Sequence, residues 1–337
     1  MTTENVDIAL QAAIQGYPDI AEDLLRKKLE DQPDDLRIIF NLGWHDMRHG
    51  KLRQGFNGMN AGRFLNVFGS PALPGQIWSG EDLHGKTLLF RSEGGHGDEI
   101  MNVRFARDFE ELGAKVIVSC HHSLMGFFAD NGFTPVTSAA AEAGGVYYDY
   151  WVPGMSAGYA IGYEYEDMIG KAYLDAPKRD MYERPGTLKV GIKWSGNPQF
   201  EHEQHRKFDP TPLIDLHQLP GTTFYSLQRD HDLMEFLPFG DLKDQLTDWR
   251  QTASILKSLD LVITSCTSVA HCAAALGVET WVLVPILPYY CWALPGATSP
   301  WYDSARLFRQ TQYGNWDEPM ANIKKALEER LQLKIAA

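Results

Sequence analysis

No run of the 337-residue sequence approaches the roughly 20 apolar residues of a membrane-spanning helix. Its first ten residues, MTTENVDIAL, carry neither the basic nor the apolar region of a signal peptide. A soluble, cytoplasmic protein without membrane insertion is therefore expected. Cysteine is scarce. Cys120, Cys266, Cys272 and Cys291 form neither CxxC pairs nor a dense framework, so reduced thiols are expected rather than disulfides. No metal site is expected either. The histidines nearest in sequence, His121 and His122, are adjacent, a spacing that turns the two rings apart and makes a poor chelate. Positive charge is short as well. With Lys and Arg numbering 31 against 44 Asp and Glu, the net charge is −13, which works against binding nucleic acid through its phosphates.

What is present is a chain with 44% hydrophobic residues, long enough for two or three domains with cores of their own. From Asn5 to Asn66 the pattern is helical, and Gly16, Ala21 and Leu25 recur as Gly50, Gly55 and Met59, 34 residues further on. Small residues where helices cross, a glycine at each turn and Pro33 after the second helix suit stacked helix hairpins. Accidental spacing in a plain helical extension would read the same way. A Gly- and Pro-rich loop from Phe68 to Gly80 follows.

Beyond it, short β-branched runs alternate with helical patterns: strand Lys86 to Arg91, helix Asp98 to Leu112, strand Lys115 to Cys120, helix Ser123 to Asn131, strand Tyr148 to Val152. Such alternation predicts βαβ units and a parallel sheet. After a polar turn from Pro177 to Gly186, strand Leu188 to Pro198 opens a second unit of the same kind. It continues with helix Thr211 to Leu219, strand Thr223 to Leu227, helix Gln251 to Ser258 and strand Trp281 to Val284, and helix Glu318 to Leu331 closes the chain. The expected architecture is α/β: residues 1–67 a helical region, 68–83 a linker, 84–180 and 187–337 two Rossmann-like domains with a cleft between them.

Three stretches could carry chemistry. In LDLVITSCTSVAHCAAALG, Leu259 to Gly277, a strand runs into small hydroxyl and thiol residues and then a helix that stops at Gly277. A helix N-terminus beyond the carboxyl end of a parallel strand binds anions. Thr267, Ser268 and His271 then make a phosphate cradle; equally, hydroxyl residues cap ordinary turns. Around Ser195, Gly196 and Asn197, small residues end a strand, and Arg206 and Lys207 supply positive charge suited to a diphosphate. Gln228, after the next strand, could meet a base or ribose. In SEGGHGDE, Gly94, Gly95 and Gly97 let the backbone approach a ligand, with His96 and Glu99 beside them. There Asp98 stands where a carboxylate can take a proton from a hydroxyl, although aspartate is also a common helix cap. GGHGDE does not have the spacing of a dinucleotide-binding fingerprint.

Taken in order, EGGHGDEI, VGIKWSGNP, the arginine of HRKF, YSLQ, LDLVITSCTSVAHCAAALG and SPWYDSARLFRQ resemble the bacterial tetratricopeptide-repeat glycosyltransferases. Those are relatives of the lipopolysaccharide heptosyltransferases and, distantly, of the protein O-GlcNAc transferases. The resemblance implies a GT-B fold and inverting, metal-independent transfer from a nucleotide-diphosphate sugar, a co-substrate rather than a bound cofactor. It places Asp98 on the catalytic base, Arg206 at the diphosphate-binding lysine, and Thr267, Ser268 and His271 on the elements that hold the donor. Relatives carry an aspartate, expected to touch the donor sugar, where this chain has Cys266. The acceptor expected from the sequence is a protein, a glycan or a lipid-linked glycan, with modified nucleic acid disfavoured by the charge. Two other readings fit the same fold: a non-catalytic interaction protein with a degenerate donor site, and a sugar-nucleotide epimerase.

Overall fold

The computed structural model of the chain describes residues 2–68, 73–181, 186–200, 202–217, 219–229 and 238–336. Residues 69–72 of the Phe68 to Gly80 loop and 182–185 of the Pro177 to Gly186 turn lie outside the described residues. The chain divides into two compact units, Met1–Ile169 with Ala293–Pro295, and Gly170–Trp292 with Gly296–Ala337.

The first unit opens with four helices, α1 (Thr2–Ile14), α2 (Pro18–Asp31), α3 (Leu36–Arg48) and α4 (Leu52–Phe64). Gly16 and Gly50 close α1 and α3 with φ of 90° and 78°, a left-handed conformation that glycine adopts without strain. The 34-residue recurrence is thus the spacing of two equivalent turns. Pro18 starts α2, where its missing N–H costs nothing, and the Asp35 carboxylate caps α3 by accepting the Arg37 and Ile38 N–H groups. Helices α3 and α4 meet backbone to backbone. A Cβ added to Gly58 would stand 2.7 Å from Gly43 Cα, and one added to Gly55 would stand 2.8 Å from the Gly43 carbonyl oxygen.

Five strands follow: β1 (Gln76–Ile77), β2 (Thr87–Arg91), β3 (Lys115–Cys120), β4 (Pro135–Thr137) and β5 (Tyr150–Pro153), in the order β1-β5-β2-β3-β4 and all parallel. The segment after the helical region therefore contributes an edge strand. Helices α5 (His96–Asn102) and α6 (Phe105–Glu111) stand where the sequence predicts one helix. The ladder breaks because Ala106 and Arg107 bond three residues back, to Val103 and Arg104, while the Arg104 Nε takes the Met101 carbonyl at 3.0 Å. Helices α7 (His122–Asp130), α8 (Ser138–Glu142) and α9 (Ala157–Ala160) complete the unit. Leu73, Leu89, Ala141 and Trp151 pack on one face of the sheet.

The second unit is built on β6 (Leu188–Lys193), β7 (Thr222–Ser226), β8 (Gly240–Asp241), β9 (Leu261–Ser265), β10 (Thr280–Val284) and β11 (Ala305–Arg309). Their order is β11-β10-β9-β6-β7-β8, again all parallel. Helices α10 (Glu203–Arg206), α11 (Ile214–His217), α12 (Trp249–Ser258), α13 (Ser268–Ala275) and α14 (Asp317–Ala336) connect and flank the strands. The helix predicted from Thr211 is a 3-10 turn running into the single α-turn of α11, and Pro220, three residues past His217, cannot donate to continue it. Strands β9 and β10 are buried along their whole length, as expected of central parallel strands covered on both faces. Val190, Ile192, Trp194, Ile263, Trp281 and Leu327 are part of that core.

Candidate functional site

In the second unit the residues singled out in the sequence converge on the carboxyl ends of β6, β7 and β9. Ser195 is buried, and its backbone N–H and its hydroxyl both bond the buried Gln228 amide, at 3.3 and 2.8 Å. Gln228 thereby ties β6 to β7 rather than projecting outward, while Asn197 is exposed and closes its own turn by accepting the Gln199 N–H. The Gly196 N–H donates to Glu203 Oε1 at 2.5 Å, and the other oxygen of that carboxylate accepts from Arg206 Nε at 2.6 Å. Arg206 then reaches the Cys266 carbonyl oxygen through Nη1 at 2.7 Å, and its guanidinium lies 4.5 Å from the centre of the Phe200 ring. A Cβ on Gly196 would come within 2.5 Å of Arg206 Nη2, so a larger residue here would displace the guanidinium.

The turn from Cys266 to Ser268 opens α13. Thr267 occupies the cap position in extended conformation with no side-chain bond to the helix, and its Oγ1 lies 3.3 Å from Thr264 Oγ1. Ser265 Oγ is buried with no hydrogen-bond partner among the described residues. Gly277 ends α13 with φ of 74°, the left-handed stop anticipated from the sequence. His271 is only 4% exposed, with Nδ1 3.0 Å from the Tyr302 hydroxyl and its ring stacked on Trp292 at 5.4 Å. It sits inside an aromatic cage instead of lining the turn directly. The Trp292 indole N–H donates to Cys266 Sγ at 3.1 Å, so Cys266 is itself a buried acceptor. Lys207 is exposed.

The first unit assembles the other set. Gly94 takes φ of 77°, and Asp98, the third residue of α5, turns Oδ2 back to the Gly95 N–H at 2.8 Å. Gly97 lies in the first turn of the same helix. Glu99 is buried and accepts the His121 N–H at 2.9 Å; burial, with the negative charge of Asp98 in support, pushes its carboxyl up to about 7. His96 Nε2 lies 3.0 Å from His121 Nδ1 and 3.1 Å from Ser123 Oγ. Because His121 Nδ1 accepts the Ser123 N–H, the proton in the contact between the rings belongs to His96.

Adjacency does not separate His121 and His122 as the sequence reading expects. His121 is the extended cap of α7 and His122 its first residue, which brings their ring centres to 4.1 Å. No group of three or more metal-ligating side chains forms among the described residues. All four cysteines are buried thiols, and burial pushes that of Cys120 up to about 12.

Sequence reasoning missed Glu203, Glu93 and Ser123. Only Glu203 carries a local signal, its i, i+3 spacing to Arg206. Glu93 and Ser123 find their partners through the fold.

No protein-family model matches the chain. It is 28% identical over 308 residues to Protein FlbA of Caulobacter vibrioides, which covers 76% of this chain and 49% of that protein. The chain thus spans about half the length of that curated relative. Among solved structures it is similar to the dodecameric iron-containing heptosyltransferase TibC in complex with ADP-D-beta-D-heptose, the TibC of enterotoxigenic E. coli. That likeness has a TM-score of 0.52 and 12% identity, over 75% of this chain and 78% of that one. It is also similar to a family 9 glycosyl transferase of Veillonella parvula, with a TM-score of 0.53 and 10% identity over 76% of this chain and 99% of that one. Among the described residues, no helix is long and apolar enough to cross a membrane. The chain shares the α/β fold of these glycosyltransferases, with its strands in parallel sheets.

Proposed function

We propose that the protein is a glycosyltransferase that moves a sugar from a nucleoside-diphosphate sugar to an acceptor hydroxyl, with inversion and without a metal ion. One observation carries this reading. A close-approach glycine, a guanidinium and the N-terminus of α13, which has no side-chain cap, meet at the carboxyl ends of β6 and β9. That combination suits a diphosphate: Gly196 leaves room for the guanidinium, Arg206 offsets the charge, and the first-turn amides of α13 donate to it.

Asp98 takes the proton of the acceptor hydroxyl, whose oxygen attacks the anomeric carbon from the face opposite the leaving group. The bond from that carbon to the diphosphate breaks, and its electron pair leaves with the diphosphate. Arg206 and the amides and hydroxyls of Thr267 and Ser268 stabilise the charge that develops, while His271, held by Tyr302 and Trp292, supports α13 from behind that turn. The helical region of the first unit is a tetratricopeptide-like element in this reading, and the acceptor is a protein, a glycan or a lipid-linked glycan. TibC has been solved with ADP-D-beta-D-heptose, which makes an ADP-sugar the first donor to try.

Thermal-shift measurements with ADP-, UDP-, GDP- and TDP-sugars test the reading, since a ligand at about 100 times its Kd stabilises the fold by ~2.7 kcal/mol. A shift with one nucleotide class is expected, and nucleotide release that depends on acceptor separates transfer from epimerisation. No shift with any of the four sinks the donor site.

A further inference from the structure

We propose that Arg63, on the last turn of α4, is a positioning residue for the Asp98 loop, so that the helical region is part of the transfer machinery rather than a separate recruiting arm. The inference rests on the reading of Asp98 as the base. Arg63 makes a bidentate pair with Glu93, Nε to Oε1 at 2.8 Å and Nη2 to Oε2 at 2.9 Å. Glu93 is 4% exposed and immediately precedes Gly94. Its Oε2 also accepts the Met155 N–H at 3.2 Å, from the turn that follows β5. Two more of its donors are held nearby, Nη2 on Ser156 Oγ at 2.9 Å and Nη1 on Asn60 Oδ1 at 3.2 Å; the Ser156 hydroxyl in turn bonds Asn60.

A second tie runs from the same end of α4. The Gly94 N–H donates to the Phe68 carbonyl oxygen at 3.2 Å, and the Arg63 guanidinium lies 6.0 Å from the Phe68 ring centre. The loop is thus gripped at Glu93 and Gly94, and one residue on, the Gly95 N–H fixes the Asp98 carboxylate. Gly94 has a left-handed φ, and a Cβ there would strike Asp98 Oδ2 at 2.6 Å, so the loop has one tight conformation to hold. Bidentate Arg–carboxylate geometry defines direction as well as distance, which a lysine at the same place would not. An exposed surface pair would add little, but here the carboxylate is buried and the guanidinium largely covered.

The test compares Arg63→Met, Arg63→Lys and Asp98→Asn in the full chain. Hydrogen exchange is the first readout. Arg63→Met is expected to speed exchange of the amides at Gly94 to Glu99 at least tenfold and leave those at Leu259 to Gly277 unchanged, with Arg63→Lys intermediate. The second readout is hydrolytic nucleotide release from ADP-, UDP-, GDP- and TDP-sugars, with water as the acceptor. Arg63→Met is expected to lower kcat by about ten- to a hundredfold, the penalty of a misplaced group, with KM for the donor unchanged within about twofold. Should Asp98→Asn lower kcat while Arg63→Met changes neither loop exchange nor kcat, the positioning role is overturned and the base assignment stands. Should Asp98→Asn leave kcat unchanged, the base assignment falls, and loop exchange alone decides whether Arg63 holds the loop. If Arg63→Met does not fold, Glu93→Gln replaces it; it keeps the volume and an acceptor oxygen but removes the charge, and the same two readouts decide.

Discussion

Arg206 donates through Nη1 to the carbonyl oxygen of Cys266 at 2.7 Å, joining α10 to the turn that opens α13. The partner is a backbone atom, so the cation keeps its place whatever side chain stands at position 266. Its charge is shared with Glu203, whose other oxygen holds the Gly196 N–H. In the proposed function, an arriving diphosphate would meet a guanidinium that is already oriented.

Replacing Arg206 with alanine is expected to lower turnover by roughly a hundredfold or more, as removal of one preorganised donor does elsewhere. The same variant should lose the thermal shift given by the nucleotide sugar. Steady-state kinetics and a melting curve with and without donor check both. Retention of the shift would assign the diphosphate to another site.

Asp98→Asn separates chemistry from architecture. An asparagine oxygen still accepts the Gly95 N–H, so the melting temperature should stay close to that of the wild type. A general base contributes typically a hundredfold or more, so turnover should fall by at least about that factor. Near-wild-type turnover in a folded variant would rule out this base.

Glu99 gives the first unit a pH dependence of definite sign. Burial raises its carboxyl from an ordinary 4.5 to about 7, so the folded chain holds this proton more tightly than the unfolded one. Its contribution to stability is fully present below pH 4.5 and is lost as pH climbs through about 7, a change of up to about 3 kcal/mol. Urea titrations between pH 4.5 and 8 should show Glu99→Gln gaining on the wild type across that window, because glutamine can still accept the His121 N–H. A constant difference between the two proteins would refute it.

The buried contact between Trp292 and Cys266 is expected to show in stability before activity. Cys266→Ala strands the indole N–H, which costs about 1–3 kcal/mol when no other acceptor is in reach. Cys266→Ser keeps an acceptor and should recover part of that loss. Equal melting temperatures for the two variants would mean that the sulfur contact contributes nothing.

At the α3–α4 crossing, two effects of Gly58→Ala oppose each other. Alanine gains about 1 kcal/mol of helix propensity, and overpacking against backbone costs typically 1–3. The new Cβ would face Gly43 Cα at 2.7 Å and the Ile39 carbonyl oxygen at 2.9 Å, atoms that move only with the helix itself, so the cost should win. Calorimetry should show a lower melting temperature, and a higher one would mean that the helices separate freely.

Much of this was legible where local pattern and burial agree. The apolar run of β9, the small hydroxyl residues after it and Gly277 mark a strand, a turn and a helix stop within one stretch, and the structure has all three there. The split between α5 and α6 was not, because the break has no glycine or proline and comes from a side chain, Arg104, taking a main-chain carbonyl. The local sequence did not show the partners either. Glu93 reads as the edge of a glycine loop until α4 brings Arg63 to it, and His271 reads as a ligand facing the turn until Tyr302 and Trp292 close over it. Residue types can suggest a site, but which groups are committed to one another depends on packing between distant segments.

The glycine seam of α3 and α4 also bears on how this chain can change. Where helices meet through side chains, a substitution on one can be compensated by a smaller partner on the other. Gly43 and Gly58 leave nothing smaller to trade, since each already faces main chain alone. Drift at these positions is therefore blocked one residue at a time, and a relative carrying alanines there must space its two helices further apart.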